Sequence, residues 1–212
     1  MIITYYGSEF IKLQTGDTVL AFNPIAKEST FRSYRFGTDI ALVSVNHSDF
    51  NGVDNLVYKD KKPFVVSGPG EYEKNSIFIK GFLTQIIYKG KPYINTIYLV
   101  KFDHIKICHL GVLNSLEQLT NDIKEAINGA DILFAPIGGG DVFDQDEMNK
   151  VSVSIEAKIT IPIYHNASSK KEIDALVKKI GNGVSVFEKL TVKKSDFSDK
   201  EGEVIILTTP SL

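Results

Sequence analysis

The sequence predicts a mixed α and β fold, two sheets with helices on the outside, in a single domain over residues 1–212. Three observations predict it. Short apolar runs punctuated by glycine and proline crowd the first half, whereas the second half alternates helical with extended patterns; a doubly wound parallel sheet would alternate throughout. A chain of 212 residues with 43% hydrophobic and 24% charged residues is large and apolar enough to bury one sizeable core.

Ile2 to Tyr6, Phe10 to Gln14 and Thr18 to Phe22 read as short strands, separated by the turn pairs Gly7-Ser8 and Gly16-Asp17. Asn23-Pro24 opens a polar stretch to about Phe36 that reads as loop. Asp39 to Val45 is then an apolar run of the kind found in a strand covered on both faces. Further strands are predicted at Pro63 to Ser67, Ser76 to Phe82, Gln85 to Tyr88, Ile94 to Phe102 and His104 to Cys108. In Ser115 to Asn128, Leu116, Leu119, Ile123 and Ile127 recur at helical spacing behind a serine able to cap the first turn. Asp131 to Ile137 and Lys158 to Ile163 read as buried strands, Gln145 to Ile155 and Lys170 to Ile180 as helices, and Gly202 to Thr208 as a last strand.

A net charge of -2 argues against a nucleic-acid partner or an anionic membrane surface, both of which call for concentrated basic charge. The lone Cys108 excludes an internal disulfide and any cysteine-rich zinc module. No apolar run approaches the roughly 20 residues that span a bilayer, and the opening residues lack a signal peptide's basic leader. The expectation is a soluble, cytoplasmic protein. Substrate and partner stay unassigned, and a homo-oligomer is left open.

Chemistry is concentrated in Val43-Ser44-Val45-Asn46-His47-Ser48-Asp49-Phe50-Asn51-Gly52, where an imidazole and a carboxylate lie two residues apart on the loop leaving a buried strand. Such a pair can begin a metal site, but a site needs three or more ligands and the chain holds four histidines. On composition alone, a solvated turn in which Asp49 bonds nearby backbone is the simpler reading. Cys108 lies in an apolar strand, where a thiol is an inert core group, and no serine sits in a Gly-x-Ser-x-Gly elbow. Gly138-Gly139-Gly140-Asp141 precedes a helix but lacks the P-loop lysine, so it reads as a tight turn rather than a phosphate site.

The order of segments resembles the metallo-β-lactamase fold, in particular its compact branch near the ascorbate-phosphate lactonases. The likeness is carried by Ile3-Thr4-Tyr5-Tyr6-Gly7, Val19 to Pro24, Ala41 to Gly52, Gly68-Pro69-Gly70-Glu71-Tyr72-Glu73, His109-Leu110-Gly111, Asp131 to Gly140 and Lys158 to His165. It implies a four-layer αββα sandwich. It also implies a metal-bound hydroxide as hydrolytic nucleophile. The family's His-x-His-x-Asp-His motif falls on Val45, His47, Asp49 and Phe50, so two of its three histidines are absent. Its later His-x-Gly-Asp falls on His109-Leu110-Gly111-Val112, and the last histidine ligand falls on Tyr164. His47, Asp49 and His109 are therefore the remaining, vestigial metal candidates.

Two neighbours, His165 and Glu71, are candidates to compensate. His165 is adjacent to the lost ligand position, yet along a strand it would face away unless the strand has bulged or ended. Glu71 reads first as a turn carboxylate, and His104, beside Asp103, as a surface residue. The expectation is a degenerate member without zinc-hydrolase activity and without a cofactor, acting as a binding or structural protein. The alternative is a hydrolase of an ester, lactone or phosphodiester with one zinc or similar divalent ion on His47, Asp49, His109 and one neighbour.

Overall fold

The computed structural model describes residues 1–138, 140–165, 170–181 and 183–210. Strands β1 (Ile2–Tyr5), β2 (Ile11–Thr15), β3 (Thr18–Phe22), β4 (Ile40–Leu42) and β5 (Phe64–Val66) build most of one sheet. The second sheet takes β6 (Gly70–Lys74), β7 (Ile77–Tyr88), β8 (Lys91–Phe102), β9 (Ile105–His109), β10 (Ile132–Pro136) and β11 (Ile159–Ile163). Short β12 (Ser185–Phe187) and β13 (Lys189–Thr191) and the longer β14 (Glu203–Leu207) complete both, giving orders β13-β1-β2-β3-β4-β5 and β12-β14-β11-β10-β9-β8-β7-β6. β1, β2 and β3 pair antiparallel and β3, β4 and β5 parallel, while β9, β10, β11 and β14 also run parallel, as their helical connections require.

The main core lies between the sheets, where Ile3, Leu13, Leu20 and Leu42 meet Tyr98, Val100, Ile107, Phe134 and Ile161. On the far face of the second sheet, Leu99, Cys108 and Leu133 pack under helices α1 (Asn121–Ile127) and α2 (Gln145–Ile155), and α3 (Lys170–Ile180) sets Ile173 against Ile206. The outer face of the first sheet is closed without an α-helix: Phe10, Ala21 and Ala41 pack under Leu56 of a 3-10 turn and under Phe31, Tyr34 and Phe36 of the long β3–β4 connection. The sandwich of two sheets with helical cover is thus the fold that the residue pattern and the resemblance imply. Among the described residues, no helix is long and apolar enough to cross a membrane.

Three expectations about elements need correction. The segment 115–128 is a 3-10 turn followed by a shorter helix rather than one continuous helix: Ser115 caps a 3-10 turn at Leu116–Gln118, and Thr120 accepts from the Ile123 amide to start α1 afresh. Residues 77–88 form one strand where two were expected. Its buried side passes from odd residues (Ile77, Ile79) to even ones (Thr84, Ile86, Tyr88) beyond Phe82, and that loss of phase reads in sequence as a break. The edge strands β6, β12 and β13 escaped notice because they are short and largely exposed, without alternation to betray them.

Candidate functional site

His47 and Asp49, on the segment that follows β4, and His109, at the end of β9, stand at one end of the sandwich with the segments that follow β1, β3 and β11. Beyond β4 the chain is held by backbone bonds: the Val43 amide donates to the Val66 carbonyl, Ser44 to Asn23 Oδ1, and Thr96 to the Ser44 carbonyl. The turn itself closes through Phe50 and Asn51 amides donating to the His47 carbonyl. Gly52 completes it, because a Cβ there would stand 2.3 Å from the Ile25 carbonyl and the Ala26 amide.

Asp49 is buried, and each of its oxygens is engaged. Oδ1 accepts from Ser29 Oγ at 2.5 Å; Oδ2 accepts from Tyr88 OH and from Lys89 Nζ, both at 2.7 Å. Burial alone would raise this carboxyl's pKa, but bonds from Lys89, Ser29 and Tyr88, with the charge of Lys89, outweigh it and hold the group below its ordinary range. Lys89 and Gly90, both at positive φ, form the two-residue turn between β7 and β8, and the Lys89 amide donates to Asp141 Oδ1. This hairpin tip places an ammonium against Asp49. Tyr88 gives its one proton to Asp49, so in its 3.2 Å contact with Tyr164 the latter hydroxyl is the donor. Burial is the main cause raising the pKa of both phenols.

His47 lies beside this network. Its Nδ1 accepts from the Asp49 amide at 3.1 Å, which assigns the ring proton to Nε2. The 3.4 Å approach of Nδ1 to Asp49 Oδ2 is therefore proximity rather than an ion pair, since the same nitrogen cannot both accept from the amide and donate to the carboxylate. The ring meets Tyr88 and Tyr93 edge-on at 5.2 and 5.8 Å. Around it, Val45, Phe50 and Val112, the residues at lost ligand positions, are buried with Ile86, Tyr88 and Val142.

His109 belongs to a second, deeper group. It is fully buried, stacked on Phe22 at 4.6 Å; Nδ1 accepts from the Gly111 amide at 3.0 Å and Nε2 donates to the Glu9 carbonyl at 3.3 Å. Gly111 is required here: its φ is +64°, and a Cβ would sit 2.1 Å from Asn95 Oδ1, which accepts from the Val112 amide. The Glu9 side chain is also wholly buried, and neither carboxyl oxygen has a hydrogen-bond partner among the described residues; the Asn23 amide faces it without meeting bonding geometry. Burial therefore pushes Glu9 well above the carboxylate range and drives His109 down to about 3, so the 3.7 Å contact between them joins two neutral groups.

The remaining candidates lie elsewhere. β11 ends at Ile163 and Tyr164 takes φ +65°, which turns His165 onto the Tyr5 ring at 4.9 Å, where burial lowers its pKa to about 4. Glu71 is exposed on β6 and pairs with Lys80 at 2.7 Å. His104 is exposed in the turn between β8 and β9. Cys108 is buried and its thiol is pushed up to about 12 by burial. In the turn Gly138 to Asp141, Gly139 lies outside the described residues.

The donor set does not fit a metal. Among the described residues, no three histidine, cysteine, aspartate or glutamate side chains gather where they could hold one. Sequence reasoning missed Ser29, Tyr88, Lys89 and Glu9. For Lys89 a signal existed, a Lys-Gly pair between two alternating runs, which marks a hairpin tip though not where the tip lands.

The β-lactamase superfamily domain matches residues 2–164. Among solved structures, the chain is similar to a candidate Zn-dependent hydrolase of the metallo-β-lactamase superfamily from Thermotoga maritima, with 23% identity, 99% of each chain covered and a TM-score of 0.72. It is also similar to Igni18, a metallo hydrolase from Ignicoccus hospitalis, with 13% identity over 100% of this chain and 96% of that one and a TM-score of 0.61. The metallo-β-lactamase fold protein YhfI from Bacillus subtilis gives 10% identity over 99% and 98% of the two chains, also with a TM-score of 0.61. At these identities the structural likeness is one of fold. No curated protein matches the sequence.

Proposed function

The chain belongs to the β-lactamase superfamily, and from that premise we propose that it is a degenerate, cytoplasmic member, one unit over its whole length, that binds or scaffolds rather than hydrolyses. The observation that carries this reading is the saturation of Asp49. A carboxylate that would have to face a metal instead receives Ser29, Tyr88 and an internal cation, Lys89. Val45, Phe50, Val112 and Tyr164 supply no nitrogen or carboxylate in place of the lost ligands, and their packing with Ile86 and Val142 favours a closed cleft, by roughly 1.5–3 kcal/mol for each large side chain withdrawn from water.

On this reading His47, Asp49 and His109 are vestigial metal positions, and the resident cofactor is none. His47 and Asp49 hold each other, while His109 is spent on Glu9 and Gly111. The test is elemental analysis of protein purified without chelator. A zinc, manganese or iron content far below one ion per chain is expected; a stoichiometric ion would overturn the reading.

A further inference from the structure

Between the Tyr5 to Ser8 turn and Ile25 to Tyr34 of the β3–β4 connection lies a cavity of about 420 Å³. That volume falls within the roughly 300–1,000 Å³ of small-molecule sites. Phe31, Tyr6 and Tyr34 line it, the two tyrosine rings 4.7 Å apart and tilted by 51°. Arg32 stands at the rim with its guanidinium carbon 4.8 Å over the Tyr34 ring, and among the described residues it pairs with no carboxylate. The cavity wall contains no aspartate or glutamate. Over 26–37 the segment carries Lys27, Arg32 and Arg35 against the single acid Glu28.

A second observation is independent of these rings and charges. Ser8 lines the same cavity, is 2% exposed, and its hydroxyl has no hydrogen-bond partner among the described residues. Its backbone holds φ +52°, a conformation uncommon for a residue other than glycine. Buried hydroxyls are ordinarily satisfied, and an orphaned one marks a place where a partner is missing.

We propose that this cavity binds a planar aromatic molecule bearing one anionic group, a carboxylate or a phosphate. The ring packs among Tyr6, Phe31 and Tyr34; the anion meets Arg32, whose planar fork matches both anions in a two-point contact; and Ser8 Oγ donates to a polar atom of the ligand. The cavity adjoins the Asp49 network through Phe31, whose ring lies 5.9 Å from Lys89 Nζ and 6.1 Å from the Tyr164 ring; the proposal does not depend on whether Asp49 holds a metal, so its failure would leave the metal-free reading standing.

Calorimetric titration with benzoate, phenyl phosphate and adenosine monophosphate tests this, with benzyl alcohol and inorganic phosphate as controls. At least one aromatic anion should bind the wild type while neither control does, and Arg32→Ala should weaken binding about tenfold or more, the factor that about 1.4 kcal/mol represents. Tyr34→Ala should weaken it as well; Arg32 is exposed, so Arg32→Ala keeps the test valid if the tyrosine variant fails to fold. Tighter binding of adenosine monophosphate than of phenyl phosphate would identify a nucleotide source, and the reverse a simple aryl acid. Absence of binding by all three at millimolar concentration, or an affinity untouched by Arg32→Ala, would overturn the proposal.

Discussion

Asp49 and Glu9 are both buried carboxyl groups at the same end of the sandwich, and they solve burial in opposite ways. Asp49 keeps its charge because Ser29, Tyr88 and Lys89 bring three donors to it. Among the described residues Glu9 has no hydrogen bond on either oxygen, and it gives up its charge instead, alongside a neutral His109. On the proposed metal-free reading, the difference teaches how the pocket is held without an ion. One half of the pocket acquires a cation from a hairpin tip, and the other half turns neutral.

Breaking the neutral half should cost most. Gly111→Ala forces a Cβ to 2.1 Å from Asn95 Oδ1 at a positive φ and disturbs the amide that holds His109. A loss of about 3 kcal/mol or more in chemical denaturation is expected, from backbone strain and overpacking together. Breaking the charged half comes next. Lys89→Met leaves Asp49 buried without its cation, and because Lys89 is 46% exposed the cost should fall at about 2 kcal/mol, below the range for fully buried pairs.

Much of the frame on which these variants act is legible in the sequence. The apolar run ending at Val45 marks β4, and the 3.6-residue spacing from Gln145 marks α2, whose Asp144 and Glu147 form a capping box. That valine, phenylalanine and tyrosine stand where the resemblance implies ligands is legible too. What surrounds Asp49 is not legible. Ser29 and Lys89 reach Asp49 across 20 and 40 residues of chain, and no local pattern encodes that meeting. Glu9 misleads for a related reason: in Gly7-Ser8-Glu9 it looks like a surface turn residue, and only the closing of β11 against Ser8 buries the turn.

The opposed shifts give the two halves opposite pH signatures. Glu9 has a folded pKa above its unfolded value of about 4.3, so its neutral form supports folding fully below that pH, and stability declines as pH rises toward the folded value. Glu9→Gln should remove a slope of at most about 1.4 kcal/mol per pH unit in that window. Asp49 has a folded pKa below its unfolded value of about 3.9; its contribution is complete above that pH and is lost as pH falls through the folded value. Asp49→Asn should flatten only this acid limb, as urea unfolding at successive pH values would read. The smallest effect is expected from His47→Ala, about 1 kcal/mol for one lost hydrogen bond.

Thermal unfolding of the wild type and of His47→Ala, each with added zinc and with chelator, bears most directly on Asp49 and Lys89 as the replacement for a metal. A resident ion at free concentration c stabilises the folded state by RT ln(1 + c/Kd), so removing it lowers the midpoint. With Lys89 in the cation's place, the wild-type midpoint should be the same with zinc and with chelator, and His47→Ala should lower both equally. A chelator-induced fall in the wild type that disappears in His47→Ala would contradict the account, because it would mean that His47 holds an ion.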